Sequence, residues 1–262
     1  MERLHNRLWA LVPALSVVGF VAVGSLAEHA SAEALTYVAL VAVPLLAALA
    51  LGWLMHGGRP ILALLVAPLF ALAWTDRGGL AGESAAVVLS ALSCVTLGAL
   101  IAGVTPARWL AFGIVAMAAA DSALVISDLL QAPNNALNVA HPVGGLPRLQ
   151  SEVFSSAVMG YGDLFVAGVL GGLLACLSPA TGGSREGAVA MDRSPQLTGA
   201  ILTACLAVAF DFLFFAVDQL PATVPVACAL VLLGTATRRH RLRPVEAHRP
   251  ERALAARAQT PP

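Results

Sequence analysis

Apolar runs of about twenty residues recur along this chain, and that is the length a helix needs to cross the hydrocarbon core of a bilayer. Eight such spans lie near 8–27, 34–55, 60–75, 84–104, 107–130, 153–177, 197–217 and 221–236. Within lipid no water bonds the backbone N–H and C=O groups, so each span must satisfy its own as an α-helix. The expected fold class is all-α, a polytopic transmembrane helix bundle. Of the 262 residues, 11% are charged, against about a quarter in a soluble domain. Helices this apolar show no buried face by periodicity. Pro68, Pro221 and Pro225 fall inside spans, which bundles tolerate when neighbours satisfy the freed carbonyls.

The charges that remain give an orientation. All fifteen basic residues are Arg. Arg3 and Arg7 precede the first span, Arg59, Arg108, Arg185 and Arg193 fall in alternate loops on that same side, and Arg238, Arg239, Arg241 and Arg243 follow the last. The positive-inside rule makes that side cytoplasmic. The expected localisation is integral and multi-pass in the cell membrane, with both termini cytoplasmic. The N-terminus is also like a signal peptide ending at Ala30-Ser31-Ala32, but its apolar run is long for one and further spans follow, so it is expected to remain. Three portions result: an N-terminal four-helix portion over 1–104, a second membrane portion over 105–237, and an Arg- and Pro-rich tail over 238–262. The tail either touches anionic lipid or is merely solvated. Net charge is zero, so bulk charge implies no nucleic-acid partner. Cys94, Cys176, Cys205 and Cys228 each stand alone in an apolar segment, as small packing residues do.

Acids in spans are costly and by default mark function. Asp121 and Asp128 fall on the fifth span, Asp163 on the sixth and Asp211 on the seventh. Asp163 closes Gly160-Tyr161-Gly162-Asp163, whose glycines remove bulk beside the carboxylate and let another backbone approach. Counted at 1.5 Å per residue, Asp121 lies ~14 Å and Asp163 ~15 Å below the same membrane edge, and Asp128 only ~3 Å. Two carboxylates at one depth on adjacent helices cannot both ionise freely, so one keeps a proton and the other is a base. The base activates water and the acid protonates the departing group, with no metal or cofactor expected. Asp211 is a secondary candidate that tunes the pair or lines a water path, and Asp128 is another, nearer the water. Each acid has a plainer reading as a hydrogen-bond partner for a neighbouring helix.

On these residues the chain resembles the presenilin and signal peptide peptidase family of GxGD intramembrane aspartyl proteases. Gly160-Tyr161-Gly162-Asp163 is similar to the family's GxGD helix. Asp121, fifteen residues after Pro106, is similar to the first catalytic aspartate, and only a loop separates the two helices. Pro221-Ala222-Thr223, opening the last span, is similar to the Pro-Ala-Leu motif. The resemblance covers 106–233. It implies a presenilin-like arrangement, Asp121 and Asp163 as the catalytic pair, and Pro221, Ala222 and Thr223 shaping the site with Gly160, Tyr161 and Gly162. It also implies substrates that are transmembrane segments or remnant signal peptides, unwound and added as a strand. The chain departs from the family at Ala120, where a Tyr is usual, at Thr223 in place of Leu, and in having eight spans rather than nine.

Other readings stay open. Asp128 followed by Pro133-Asn134 is similar to the signature of prepilin peptidases, which also carry a GxGD. Intramembrane acids with Gly- and Pro-broken helices also describe a proton-coupled transporter. A scaffold that holds membrane helices without cutting fits the abundance of small residues. His141 has no second ligand at metal spacing, His56-Gly57-Gly58 reads as a turn, and Trp9, Trp53, Trp74 and Trp109 sit where interfacial anchors would.

Overall fold

The computed structural model describes residues 28–55, 57–127, 139–140, 142–154, 157–177, 194–215 and 220–241. Helix α1 covers Glu28–Leu49 and runs on as a π-helical stretch, Ala50–Leu54. A 3-10 segment, Pro60–Leu65, leads into α2, Val66–Thr75. Then come α3, Leu80–Val104, and α4, Ala107–Ile126. Strands β1, Ser151–Phe154, and β2, Ala157–Gly160, precede α5, Tyr161–Leu177. Helices α6, Ser194–Asp211, and α7, Val224–Arg241, complete the described chain. The fold is predominantly helical. By length and composition three helices can cross a membrane: Ala32–Leu54, Leu80–Val104 and Ala107–Ile126. Four more apolar helices are shorter: Pro60–Thr75, Tyr161–Leu177, Pro195–Asp211 and Val224–Thr235. The expected first span, 8–27, lies outside the described residues, as do Asp128, the 133–134 pair, His56, His141 and the tail beyond 241. Ala30-Ser31-Ala32 is part of the opening turns of α1.

Three expectations need correction. The sixth span does not begin its helix at 153. Residues 151–154 and 157–160 pair as antiparallel strands, with Ser151 opposite Gly160 and Phe154 opposite Ala157. Val153, Phe154 and Val158 favour strand, whereas a helix here would carry Ser155-Ser156 and Gly160, all weak helix formers. The last helix starts at Val224 rather than 221, so Pro221 precedes it and Pro225 lies in its first turn, where a missing N–H costs nothing. The tail boundary at 238 also shifts, because α7 continues to Arg241; Arg sustains helix well and suits the negative C-terminal end of the dipole.

Helix α3 is the centre of the packing. On one side Leu89 joins Val43 and Ala47 of α1, Val66 of α2 and Leu149. On the other Ala102 joins a second core built from α4, α5 and α7, including Ile114, Val166, Leu170, Leu173 and Ala229. The boundary at 104/105 falls between α3 and α4, but packing crosses it, since α3 meets α5 more extensively than any other pair of elements. That contact is close because of glycine. A Cβ at Gly98 would overlap the carbonyl of Gly168, and one at Gly168 would overlap the carbonyl of Cys94. With Gly172 against Gly98 and Ala102, this is the small-residue spacing that lets membrane helices touch through their backbones. Polar groups add direct ties: the buried Thr96 donates its hydroxyl to Leu46 O of α1 at 2.7 Å. Large side chains elsewhere point outward, Val104 at 70% and Ile126 at 85% exposure, as lipid-facing residues do.

The crossing yields a prediction. Gly168→Val should destabilise the protein by about 3 kcal/mol or more, as overpacking against immovable backbone does. Gly171→Ala, with nothing within 4 Å of the new Cβ, should not lower stability. Thermal unfolding of both variants in detergent micelles checks this; equal melting temperatures would refute the tight crossing.

Candidate active site

The site forms where three helix ends converge. Asp121 lies five residues before the last residue of α4, ~8 Å at 1.5 Å per residue. Its helix begins at Ala107 directly after Pro106, because proline disfavours helix for the residue before it. Asp163 lies two residues into α5, ~3 Å from its start. The depth expected for Asp163 counted residues from 153 as helix, and the hairpin removes that basis. The two carboxyl groups nevertheless come within range of one another, and the charge of Asp121 acts on Asp163. Both side chains are half-buried.

Each aspartate is tied to a helix N-terminus. Gly160 precedes α5 and donates its backbone N–H to Asp163 Oδ2 at 3.2 Å. An acidic side chain three residues into a helix, reaching back to the residue before it, is one half of a capping box. Thr223 precedes α7, and its carbonyl accepts the N–H of Ala227 at 3.2 Å. The Thr223 hydroxyl donates to Asp121 Oδ2 at 2.6 Å, and its backbone N–H approaches the same oxygen at 3.4 Å. Pro221 and Ala222 complete the turn, with Val224 N–H donating to Pro221 O at 3.2 Å. The structure thus joins Asp121 to Thr223 of the Pro221-Ala222-Thr223 segment, with Asp163 within electrostatic reach of Asp121.

The glycines act differently from expectation. No backbone approaches Gly162: it is exposed, and nothing lies within 4 Å of a Cβ built there. A Cβ at Gly160 would make only an ordinary contact, 3.4 Å from Asp163 Oδ2. The pair therefore leaves open space beside the carboxylate. Tyr161 points the other way, its hydroxyl 2.6 Å from Ser93 Oγ on α3. Ser93 has one hydroxyl proton, given to Ser90 O at 2.7 Å, so Tyr161 is the donor. Ser93 was not legible as a site residue, although Ser90, Ser93 and Thr96 make a polar stripe at three-residue spacing within an apolar helix, a pattern that marks interhelical bonding. Asp211 is the last residue of α6 and is exposed; it is not part of the hydrogen bonds that join Asp121, Thr223, Gly160 and Asp163.

No family model matches the chain, and no curated protein or solved structure matches it either. The reading of the site rests on its own chemistry. What the described residues show is an aspartate bonded to Thr223, a second aspartate close enough to feel its charge, and open space at Gly162 beside the second.

Two substitutions test this description of the site. Gly162→Ala should leave the melting temperature unchanged or raise it, since Ala favours helix and finds no obstacle. Tyr161→Phe should cost about 1 kcal/mol, the usual worth of one hydrogen bond. Thermal unfolding of the purified variants reads both, and a large loss for Gly162→Ala would show that the space is already filled.

Proposed function

We propose that this chain is an intramembrane aspartyl protease of the presenilin and signal peptide peptidase type, hydrolysing peptide bonds of transmembrane segments or remnant signal peptides. The observation that carries the reading is the hydrogen bond between Thr223 and Asp121, 102 residues apart in sequence, formed where Asp163 also lies. Of the three motifs that the family resemblance groups together, this bond joins two, and the third opens a helix that packs against both of theirs.

Hydrolysis then runs through the pair alone. One carboxylate takes a proton from water, and the hydroxyl adds to the scissile carbonyl carbon. The partner carboxyl protonates the departing amide nitrogen as the C–N bond breaks. Oδ2 of each aspartate is committed to a protein donor, so Oδ1 of each handles water and proton. A helical substrate has its carbonyls bonded and must unwind first. Strand β2 runs directly into the helix of Asp163, and a strand added at its edge would bring the scissile bond past the carboxylates. We assign eight spans with both termini cytoplasmic, an orientation that favours substrates whose N-terminus is cytoplasmic.

A second reading has one observation in its favour. The bonds to Gly160 and Thr223 are helix-terminus ties, so both aspartates could serve packing alone in a helix-binding scaffold. Asparagine separates the two, because its amide oxygen still accepts those bonds but cannot act as acid or base. Purified protein should cut a synthetic signal-peptide substrate. Asp121→Asn and Asp163→Asn should each lower the rate about 100-fold or more, the scale of acid–base catalysis, with melting temperatures close to wild type. Asp211→Ala and Asp128→Ala should retain most activity. Cutting by either Asn variant at the wild-type rate would favour the scaffold, and full loss in Asp128→Ala would favour a prepilin-type peptidase.

A further inference from the structure

The helix that carries Asp121 offers nothing to hold it. Its neighbours one turn away are Met117, Ala118, Leu124 and Val125, none of which has a hydrogen-bond donor in its side chain. The adjacent Ser122 gives its hydroxyl proton to Ala118 O at 2.8 Å. An aspartate left to itself on such a helix samples more than one rotamer. Thr223 supplies the missing donor from another element. It is itself fixed, being buried and bounded by Pro221 and Pro225, whose rings restrict the backbone on either side. Pro225 also removes one of the N–H groups that a threonine ahead of a helix would otherwise cap. Of its two donors, the backbone N–H at 3.4 Å is long for a hydrogen bond, while the hydroxyl at 2.6 Å lies in the range of strong bonds to a carboxylate. The hydroxyl therefore carries the interaction. The leucine found at this position in the family that the chain resembles has no such group.

We propose that Thr223 is a positioning residue of the aspartate pair, its hydroxyl fixing Asp121 Oδ2 so that Oδ1 is the oxygen presented to water and to Asp163. This rests on the protease reading above. Valine has nearly the shape of threonine without the hydroxyl, and serine keeps the hydroxyl without the methyl. The full-length protein in detergent is assayed on a synthetic signal-peptide substrate as wild type, Thr223→Val, Thr223→Ser and Asp163→Asn. Thr223→Val should lower kcat about tenfold or more, as loss of a bond to a charged group does, with KM unchanged. Thr223→Ser should recover most of that loss. An unchanged kcat in Thr223→Val, an equal loss in the valine and serine variants, or an effect on KM alone overturns this inference while Asp163→Asn still abolishes cutting. Cutting that survives Asp163→Asn, or its absence in the wild type, overturns the protease reading and this inference together.

Discussion

The contact between α3 and α5 governs the rest of the fold. In lipid there is no hydrophobic drive to bring helices together, so association depends on close packing and on hydrogen bonds between helices. Gly98, Gly168 and Gly172 let two backbones meet where any larger residue would hold them apart. The core of α4, α5 and α7 then forms on one side of α3 and the core of α1 and α2 on the other. Asp163 begins the same helix that Gly168 anchors, so the position of the carboxylate follows from a crossing one to two turns further along. The bond from Tyr161 to Ser93 fixes the start of α5 against α3 a second time, directly beside the aspartate.

Helix termini do the remaining work. A helix exposes unsatisfied N–H groups at its N-terminal end, and in this chain two such ends are turned toward carboxylates. The arrangement solves two problems with the same atoms. The backbone donors of Gly160 and Thr223 need acceptors where water is scarce, and the acids need donors to be tolerated among apolar helices. Acids held this way are fixed by main chain and by one short side chain, which leaves them little freedom to drift.

The helical spans were legible because the cost of unpaired backbone in lipid leaves almost no other solution. Three of the expected spans fall on helices long and apolar enough to cross a membrane, four fall wholly or partly on shorter apolar helices, and residues 8–27 lie outside the described chain. The hairpin was not legible, because hydropathy over 153–177 averages an apolar strand pair with the helix that follows and hides the boundary at Gly160. Asp121 and Asp163 stood out for the expense of a carboxylate in an apolar run. Thr223 did not: threonine in an apolar helix commonly spends its hydroxyl on its own backbone, as Thr36 does on Ala32 O and Thr75 on Ala71 O, and nothing local distinguishes one that reaches another helix. The resemblance to the Pro-Ala-Leu motif implied that Thr223 shapes the site but not how, since the motif has Leu there; its position just before α7 makes the hydroxyl a direct contact to Asp121.

The hairpin also bears on how such a site could work. A two-stranded sheet has an outer edge on each strand, and β1 lies against α3. Non-helical backbone at membrane depth is tolerated only where it is buried in protein or lines a water-filled cavity, since each unsatisfied group otherwise costs several kcal/mol. Hydrolysis makes the same demand, because a water must reach the carboxylates through an apolar surround. Gly162 adds open space on the same stretch of chain. A strand, a helix start and a small-residue gap in succession form a part of the described chain where an open strand edge leaves backbone groups for water or for another strand, and it is the part that leads into Asp163. The same irregularity that breaks the helical rule of the membrane is what a hydrolytic site within it would require.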